Sequence, residues 1–417
     1  MNLRTIIAIV GRVYRDEGIR GVYTRVYRRL KNRKDFANGS GSVVANPLSI
    51  FTKRDIIGFY DFVCYPDMGI MDGPLPESAT NVINWLIPDF GIGSGGHLNI
   101  FRFIKLLEKS GYKNNICLVG SHRHSSAHNA KELINKHFFE LKADVYLGVE
   151  ELPVAEFSFA TGWTTAYFLR NFNRTKHKLY FVQDFEPYFY ANGSEFAFAE
   201  QTYKFGFTGV CAGGWLATKL SNDYGMTTRA ISFSYDRELY YPRELERAPK
   251  KRIFCYFRPP TIRRGLETAL MALDIVGRNN PGVEFIFAGW DMNDFKFNHS
   301  FTNAGLLSLE ELPDIYSKCD IALVLSFTNL SLLPLEIMAC GCVVVSNEGP
   351  NVEWLLNSEN SELSSCDPVE LAKAINGLLA DDSKIVSLRE KGILYAESTD
   401  WSKEGDKLVN VLKGLTE

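Results

Sequence analysis

From residue 80 onward the chain alternates between short apolar runs of strand length and longer stretches in which apolar side chains recur at helical spacing. The strand-like runs lie at 81–87, 116–119 and 143–147, and then within segments 158–166, 179–183 and 208–216. Helical spacing fills the gaps at 98–109 and 127–138. The rhythm restarts with a strand at 252–256, a helix over 266–276, and strands at 283–288, 320–325 and 343–345. Leu309, Leu312, Ile315 and Tyr316 share one helical face and predict a packing helix before the 320–325 strand. Beyond Trp354 the pattern is helical and polar, and 401–412 is amphipathic. Apolar runs of roughly four to eight residues are too short for helices and suit strands buried on both faces. Their alternation with helices predicts parallel sheets covered by helices, with ligands lying beyond the strand carboxyl ends.

The first 35 residues differ. Ile19, Val22, Tyr23, Val26, Tyr27 and Leu30 recur at helical spacing, while Arg20, Arg25, Arg28, Arg29, Lys31, Arg33 and Lys34 crowd the remaining positions. Two docking places fit this basic amphipathic pattern equally: a membrane interface rich in anionic lipid, or the chain's own first domain. Residues 36–53 read as a linker or loop, and the charged stretch near 232–250 as a hinge.

Composition narrows the picture. A chain of 417 residues holds two domains of ordinary size, and its net charge of −3 makes no global electrostatic case for nucleic acid. Its eight cysteines sit mostly inside apolar runs without any Cys-x-x-Cys pair, which predicts buried thiols in a reducing cytoplasm. No run approaches the roughly 18–20 apolar residues that span a bilayer. Arginines interrupt every candidate N-terminal apolar core, so a signal peptide is not expected either.

The candidate chemistry falls at strand ends. Gly91, Gly93, Gly95 and Gly96, followed by His97, resemble a dinucleotide fingerprint between the first strand and first helix. An oxidoreductase would need a carboxylate about 20 residues further on to hold the ribose, and the next strand ends in Gly120-Ser-His-Arg-His124 without one. His122, His124 and His128 lie in a polar loop with no Asp or Cys beside them, which predicts solvent-exposed histidines rather than metal ligands. Asp184 and Glu186 follow the 179–183 strand and are the catalytic candidates: one binds the acceptor hydroxyl or acts as general base, unless both merely cap the loop before Pro187. Arg258, Arg263 and Arg264 share a loop before a helix and offer forked, permanently charged donors to a diphosphate. After the 320–325 strand, Pro334 suits a first helical turn and Gly341 ends the helix. The N–H groups around Leu330, Ser331 and Leu332 would then face a diphosphate without any metal, and Glu336 could accept from sugar hydroxyls.

Pro334-x-Glu336-x-x-Ala339-x-Gly341-x-Val343 resembles the donor-binding signature of GT-B-fold glycosyltransferases of the retaining family 4 kind. That motif usually opens with another Glu, eight positions earlier, where this chain has Thr328. Arg258 and Arg264-Gly265 are similar to the family's Arg and Lys-Gly, with one extra residue between them and Arg replacing Lys. Residues 256–265, 181–187 and 160–163 look most like bacterial rhamnosyltransferases of the WsaF type, which build surface glycans from dTDP-L-rhamnose.

The resemblance covers residues 80–412 and implies an α/β GT-B fold, two Rossmann-like domains facing across a cleft, to which the basic amphipathic pattern adds an N-terminal basic helix. The expected organisation is a basic helix over 1–37, an acceptor domain over 38–238, a donor domain over 239–398, and a C-terminal helix over 399–417 that crosses back onto the first domain. Arg258, Arg264, Thr328, Leu330, Ser331, Leu332 and Glu336 would bind the donor, and Gly95, Gly96 and His97 would line the acceptor side. The implied reaction moves a hexosyl group, L-rhamnosyl from dTDP-L-rhamnose, to a hydroxyl of a growing glycan or lipid-linked glycan. It needs neither metal nor cofactor; the cysteine pattern places it in the cytoplasm, and docking of the basic helix on lipid, one of its two alternatives, would place it at the inner face of the membrane. A 6-deoxy sugar presents fewer hydroxyls, which fits the absent Glu. A non-catalytic glycan-binding or scaffold protein with a degenerate site would carry the same pattern.

Overall fold

The computed structural model describes residues 55–64, 75–120, 122–245 and 250–417. The basic segment 1–35 and the loop 36–53 lie outside them. The chain divides into two compact units, residues 1–59 and 60–417. The described part of the first holds a single helical turn, Ile56–Phe59. The second contains both sheets.

The first sheet has seven parallel strands: β1 Val82–Ile87, β2 Lys113–Leu118, β3 Asp144–Leu147, β4 Ala155–Ala160, β5 Thr175–Val182, β6 Thr208–Ala212 and β7 Thr228–Ile231. Their order is β3-β2-β1-β4-β5-β6-β7. The second sheet has six: β8 Arg252–Tyr256, β9 Glu284–Ala288, β10 Phe301–Gly305, β11 Ile321–Leu323, β12 Val343–Asn347 and β13 Glu362–Ser364, in the order β10-β9-β8-β11-β12-β13. Helices α1 Gly95–Lys109, α2 Ala127–His137, α3 Trp163–Asn171, α4 Ser194–Gln201 and α5 Gly214–Tyr224 belong to the first half. The second half has α6 Leu266–Asn279, α7 Leu312–Lys318, α8 Leu333–Ala339, α9 Pro350–Glu353, α10 Pro368–Leu379, α11 Asp382–Ser398 and α12 Trp401–Thr416.

These are the two parallel sheets flanked by helices that the alternation predicts, in the GT-B-like two-domain architecture that the family resemblance implies. β1 and β4 are buried along their whole length. Their side chains divide between two cores by the period of two that a strand imposes. Ile83, Trp85, Ile87, Phe157, Phe159, Leu179 and Phe181 enter one core, while Leu86, Ala160, Tyr180 and Val182 enter the other. Trp85 stacks on Phe159 with ring centroids 4.3 Å apart, and its indole N–H donates to Asn114 Oδ1 at 2.9 Å.

Three strands escaped the sequence pattern. β7, β10 and β13 are short, half-exposed edge or near-edge strands, so they lack the continuous apolar run of central ones. β13 also interrupts the stretch after Trp354 that reads as wholly helical. α7 begins at Leu312, and Leu309 is exposed ahead of it rather than packed. α1 starts at Gly95 rather than residue 98, which places Gly95, Gly96 and His97 inside its first turn.

α12 lies against the first sheet although it follows the second in sequence. Leu408 and Leu412 join the core of Ile83, Trp85 and Phe103, and Glu404 accepts the Ser232 N–H at 2.6 Å. A Cβ at Gly405 would come within 3.1 Å of the Leu106 Cβ, so the helices approach closely there. Leu408→Ala removes a fully buried side chain and is expected to lower stability by about 2–5 kcal/mol. The shift of the urea unfolding midpoint measures it.

Candidate active site

Each sheet delivers loops from its strand carboxyl ends. On the first, β1 runs into Pro88–Ser94 and α1. Gly93 has φ +81°, in the left-handed region that glycine tolerates. Gly95 and Gly96 are exposed, and a Cβ at Gly95 would meet only open space, so packing does not require glycine there. The Gly96 carbonyl accepts from Gln183 Nε2 at 3.0 Å, and Asn99 Nδ2 donates to Gln183 Oε1 at 3.1 Å. His97 Nδ1 lies 2.8 Å from Ser94 Oγ, and burial lowers the affinity of its imidazole for a proton.

The histidine loop differs from expectation. His128 is exposed, but the His124 side chain is 6% exposed, stacks on Phe90 at 4.4 Å and places Nε2 3.1 Å from Asp89 Oδ1. Asp89 also binds Arg123 Nε at 2.7 Å. The carboxylate partner comes from the end of β1, which the local sequence of the loop does not reveal. Among the described residues, no group of three or more His, Cys, Asp and Glu is placed to hold a metal ion.

Asp184 and Glu186 occupy different surroundings. Asp184 Oδ1 accepts the N–H of Phe185 at 2.8 Å and of Asn329 at 2.7 Å, and Oδ2 accepts the Thr328 hydroxyl at 2.9 Å. Arg263 Nε is 3.4 Å from Oδ2. Burial raises the Asp184 carboxyl above the usual carboxylate range, while Arg264 and Arg263 pull it back. Glu186 Oε2 instead accepts the Trp163 N–H at 2.5 Å, at the start of α3, and the Tyr180 hydroxyl at 3.3 Å. Burial pushes its carboxyl up to about 8.

The second sheet contributes two loops. After β8 comes a 3₁₀ turn, Ile262–Arg264, closed by Gly265 at φ +64°, where a Cβ would lie 2.9 Å from the Phe327 ring. Arg258 is exposed, Arg263 covers the Phe189 ring at 4.0 Å, and Arg264 donates to Ser326 Oγ at 2.7 Å. Burial lowers the Arg264 guanidinium to about 10, against the pull of Asp184. After β11, the loop from Ser326 is tied down by Asn347 and Asn351, which donate to the Ser326 carbonyl at 3.1 and 2.9 Å.

Leu330 is 1% exposed and its N–H donates to the Asn351 carbonyl at 3.2 Å, so this N–H is already used. No acceptor for the N–H groups of Ser331 and Leu332 occurs among the described residues. Glu336 lies in α8, half-buried. Burial pushes its carboxyl up to about 7, opposed chiefly by Arg102 of α1 and by Tyr240.

The structure thus gathers Asp184, Thr328, Arg263 and Arg264 at one point between the sheets. It keeps Glu186 within the first sheet's half. Asn329, Gln183 and Arg102 escaped sequence reasoning, because their partners lie far away along the chain. Asn329 Nδ2 donates to Gln183 O at 3.0 Å and Ala212 O at 2.7 Å, at the ends of β5 and β6.

The family models for WsaF match this chain in both halves: the N-terminal domain at residues 150–211 and the C-terminal domain at residues 251–376. An O-antigen biosynthesis protein, RfbC of Myxococcus xanthus, is 32% identical over 358 residues, which is 81% of this chain. The chain spans 27% of that protein's length. Among solved structures, TarM superimposes with a TM-score of 0.66 at 9% identity, covering 79% of this chain and 98% of TarM. Anabaena HepE, in complex with UDP-glucose, gives 0.62 at 15% identity, covering 80% and 99%. Sucrose-phosphate synthase from Thermosynechococcus elongatus gives 0.62 at 14%, also covering 80% and 99%. With both sheets, the cleft loops and matched segments in each half, the chain is a GT-B-fold protein related to the WsaF family.

Proposed function

We propose that this chain is a glycosyltransferase that moves a hexosyl group from a nucleoside diphosphate sugar to a hydroxyl of a cell-surface glycan. The observation that carries this reading is the convergence of Arg263, Arg264 and Asp184 where the loops of the two sheets meet. Guanidinium groups there suit a leaving diphosphate, whose developing charge preorganised donors stabilise in the transition state. HepE binds UDP-glucose on the same fold, and RfbC is an O-antigen biosynthesis protein, which supports the donor and acceptor classes. The sugar in this reading is L-rhamnose and the donor dTDP-L-rhamnose, on the resemblance of residues 256–265 and 181–187 to WsaF-type enzymes. Residues 1–35 would rest their basic face on the inner surface of the membrane.

In this scheme Arg258 and Arg264, with the N–H groups of Ser331 and Leu332, hold the diphosphate. Glu336 meets donor hydroxyls, and Gly95, Gly96 and His97 face the acceptor. Asp184 lies nearest the leaving group and acts at the reacting centre, as base or as a stabiliser of positive charge on the sugar ring. Glu186 holds the start of α3. Thermal shift with dTDP, UDP and NAD, followed by transfer assays with dTDP-L-rhamnose, tests the reading. Stabilisation by NAD alone would indicate an oxidoreductase, and stabilisation by none of them a scaffold.

Arg258→Ala is expected to weaken nucleoside diphosphate binding by about 1.5–3 kcal/mol, the usual worth of a charge-assisted contact. Calorimetric titration measures this. Arg264→Ala should weaken binding too and also lower the melting temperature, because it leaves Asp184 with less compensating charge.

Glu186 carries a pH signature. Its folded-state carboxyl titrates at about 8 against an ordinary value of 4.5, so the stabilisation it confers is full below pH 4.5 and lost as pH rises through 8. Glu186→Gln can still accept the Trp163 N–H but cannot ionise. The drop in urea midpoint between pH 5 and pH 8 should therefore be smaller in this variant than in the unaltered protein.

A further inference from the structure

Asp184 receives what an anion bound from solution would receive. Two of its hydrogen bonds, from the Asn329 N–H and the Thr328 hydroxyl, come from the second sheet's half, as do the flanking guanidiniums of Arg263 and Arg264. The side chain that fills this place is only 9% exposed and belongs to the first half. Ser326, Asn347 and Asn351 brace the loop that offers the donors, so the pocket is built into the second half rather than improvised around the carboxylate.

A second pairing has the opposite polarity. Glu336 of α8 lies near enough to Arg102 of α1 to feel its charge, as it does that of Asp236 and the Tyr240 hydroxyl of the connecting segment. Arg102 also lies over the Trp401 and Phe139 rings at 4.8 and 5.0 Å. The arginines assigned to the donor thus meet an acceptor-side carboxylate, and the carboxylate assigned to the donor lies in the field of an acceptor-side arginine.

We propose that Asp184 is an internal occupant of the donor-phosphate site: its carboxylate holds the empty cleft shut and is displaced when a nucleoside diphosphate binds. This rests on the donor-site reading above. A diphosphate brings more negative charge than one carboxylate, and Arg258, exposed and close enough to Arg264 to feel its charge, adds a donor that Asp184 does not engage. Displacement leaves Asp184 beside the leaving group, so the residue that opposes donor binding is the one that serves the transfer. Binding and turnover must then respond to its charge with opposite signs. A residue with a merely structural role would weaken both together.

The test compares calorimetric affinity for dTDP and UDP, and turnover of the sugar nucleotide, in the unaltered full chain and in Asp184→Asn. Asparagine keeps an acceptor for the Asn329 N–H, and its Nδ2 can donate to the Thr328 hydroxyl oxygen in place of the bond that Oδ2 accepted, but it removes the charge. The expected result is binding about 5- to 50-fold tighter, the range of a coupling between linked sites, with turnover lowered by about 10²–10⁴-fold. Small-angle scattering of the ligand-free variant should also show a larger radius of gyration. Thr328→Val provides a second variant if Asp184→Asn does not fold. It removes the hydroxyl that holds Oδ2 without changing any charge, and a nucleoside diphosphate lacks the sugar that Thr328 could contact, so its affinity should rise in the same direction. Equal or weaker nucleoside diphosphate binding in the folded variants, with the unaltered chain binding normally, overturns the internal-occupant proposal. Failure of dTDP and UDP to bind any of the proteins overturns the donor-site reading itself.

Discussion

One buried carboxylate, that of Asp184, ties together the cleft loops of the two halves. Asp184 is almost wholly removed from water, and an ionised group in that position requires donors around it. Apart from its neighbour Phe185, those donors belong to the other sheet's loops. Asn329 reinforces the bridge in the reverse direction by giving its side-chain N–H groups to the carbonyls of Gln183 and Ala212. Opening the cleft would strip partners from both sides at once, so closed and open states are separated by the simultaneous hydration of several polar groups.

The end of β5 distributes this constraint. Gln183 reaches back to the glycine loop at Gly96 and to Asn99, Asp184 reaches across the cleft, and Glu186 turns to the start of α3. Consecutive strand residues point to opposite faces, and the 3₁₀ turn Glu186–Phe189 rotates the chain again. Two carboxyl groups two residues apart therefore acquire different chemistry. Arginines oppose the effect of burial on Asp184, whereas Glu186 sits among aromatic rings and beside the Asp184 charge.

Away from the site, the halves are held by aromatic and backbone contact. Gly213 adopts φ +90° at the end of β6, and a Cβ there would overlap the Trp354 ring at 2.5 Å, so the ring lies directly on the backbone of the other half. Phe233, just after β7, meets both Trp354 and Trp401, at 6.1 and 6.3 Å. α12 then returns to the first sheet. These contacts leave the cleft loops as the part of the interface built mainly from polar groups, which a charged ligand can compete for.

The sequence alone carried the architecture, because strands buried on both faces must be continuously apolar and the helices between them must be one-sided. It also carried the motif at Pro334–Gly341 and the arginines at 258–264, where local backbone geometry and permanent charge are properties of neighbouring residues. Edge strands β7, β10 and β13 lay below that signal, being short and half in water. The partnerships that make the site were settled by tertiary structure alone: Asp184 with Thr328 and Asn329, separated by 144 and 145 residues, Asp89 with His124, and Asn329 with the Gln183 and Ala212 carbonyls. Hydrophobic periodicity reports which face of an element is buried. It does not report which distant polar group meets another there, and that meeting decides the charge and availability of each side chain in the cleft.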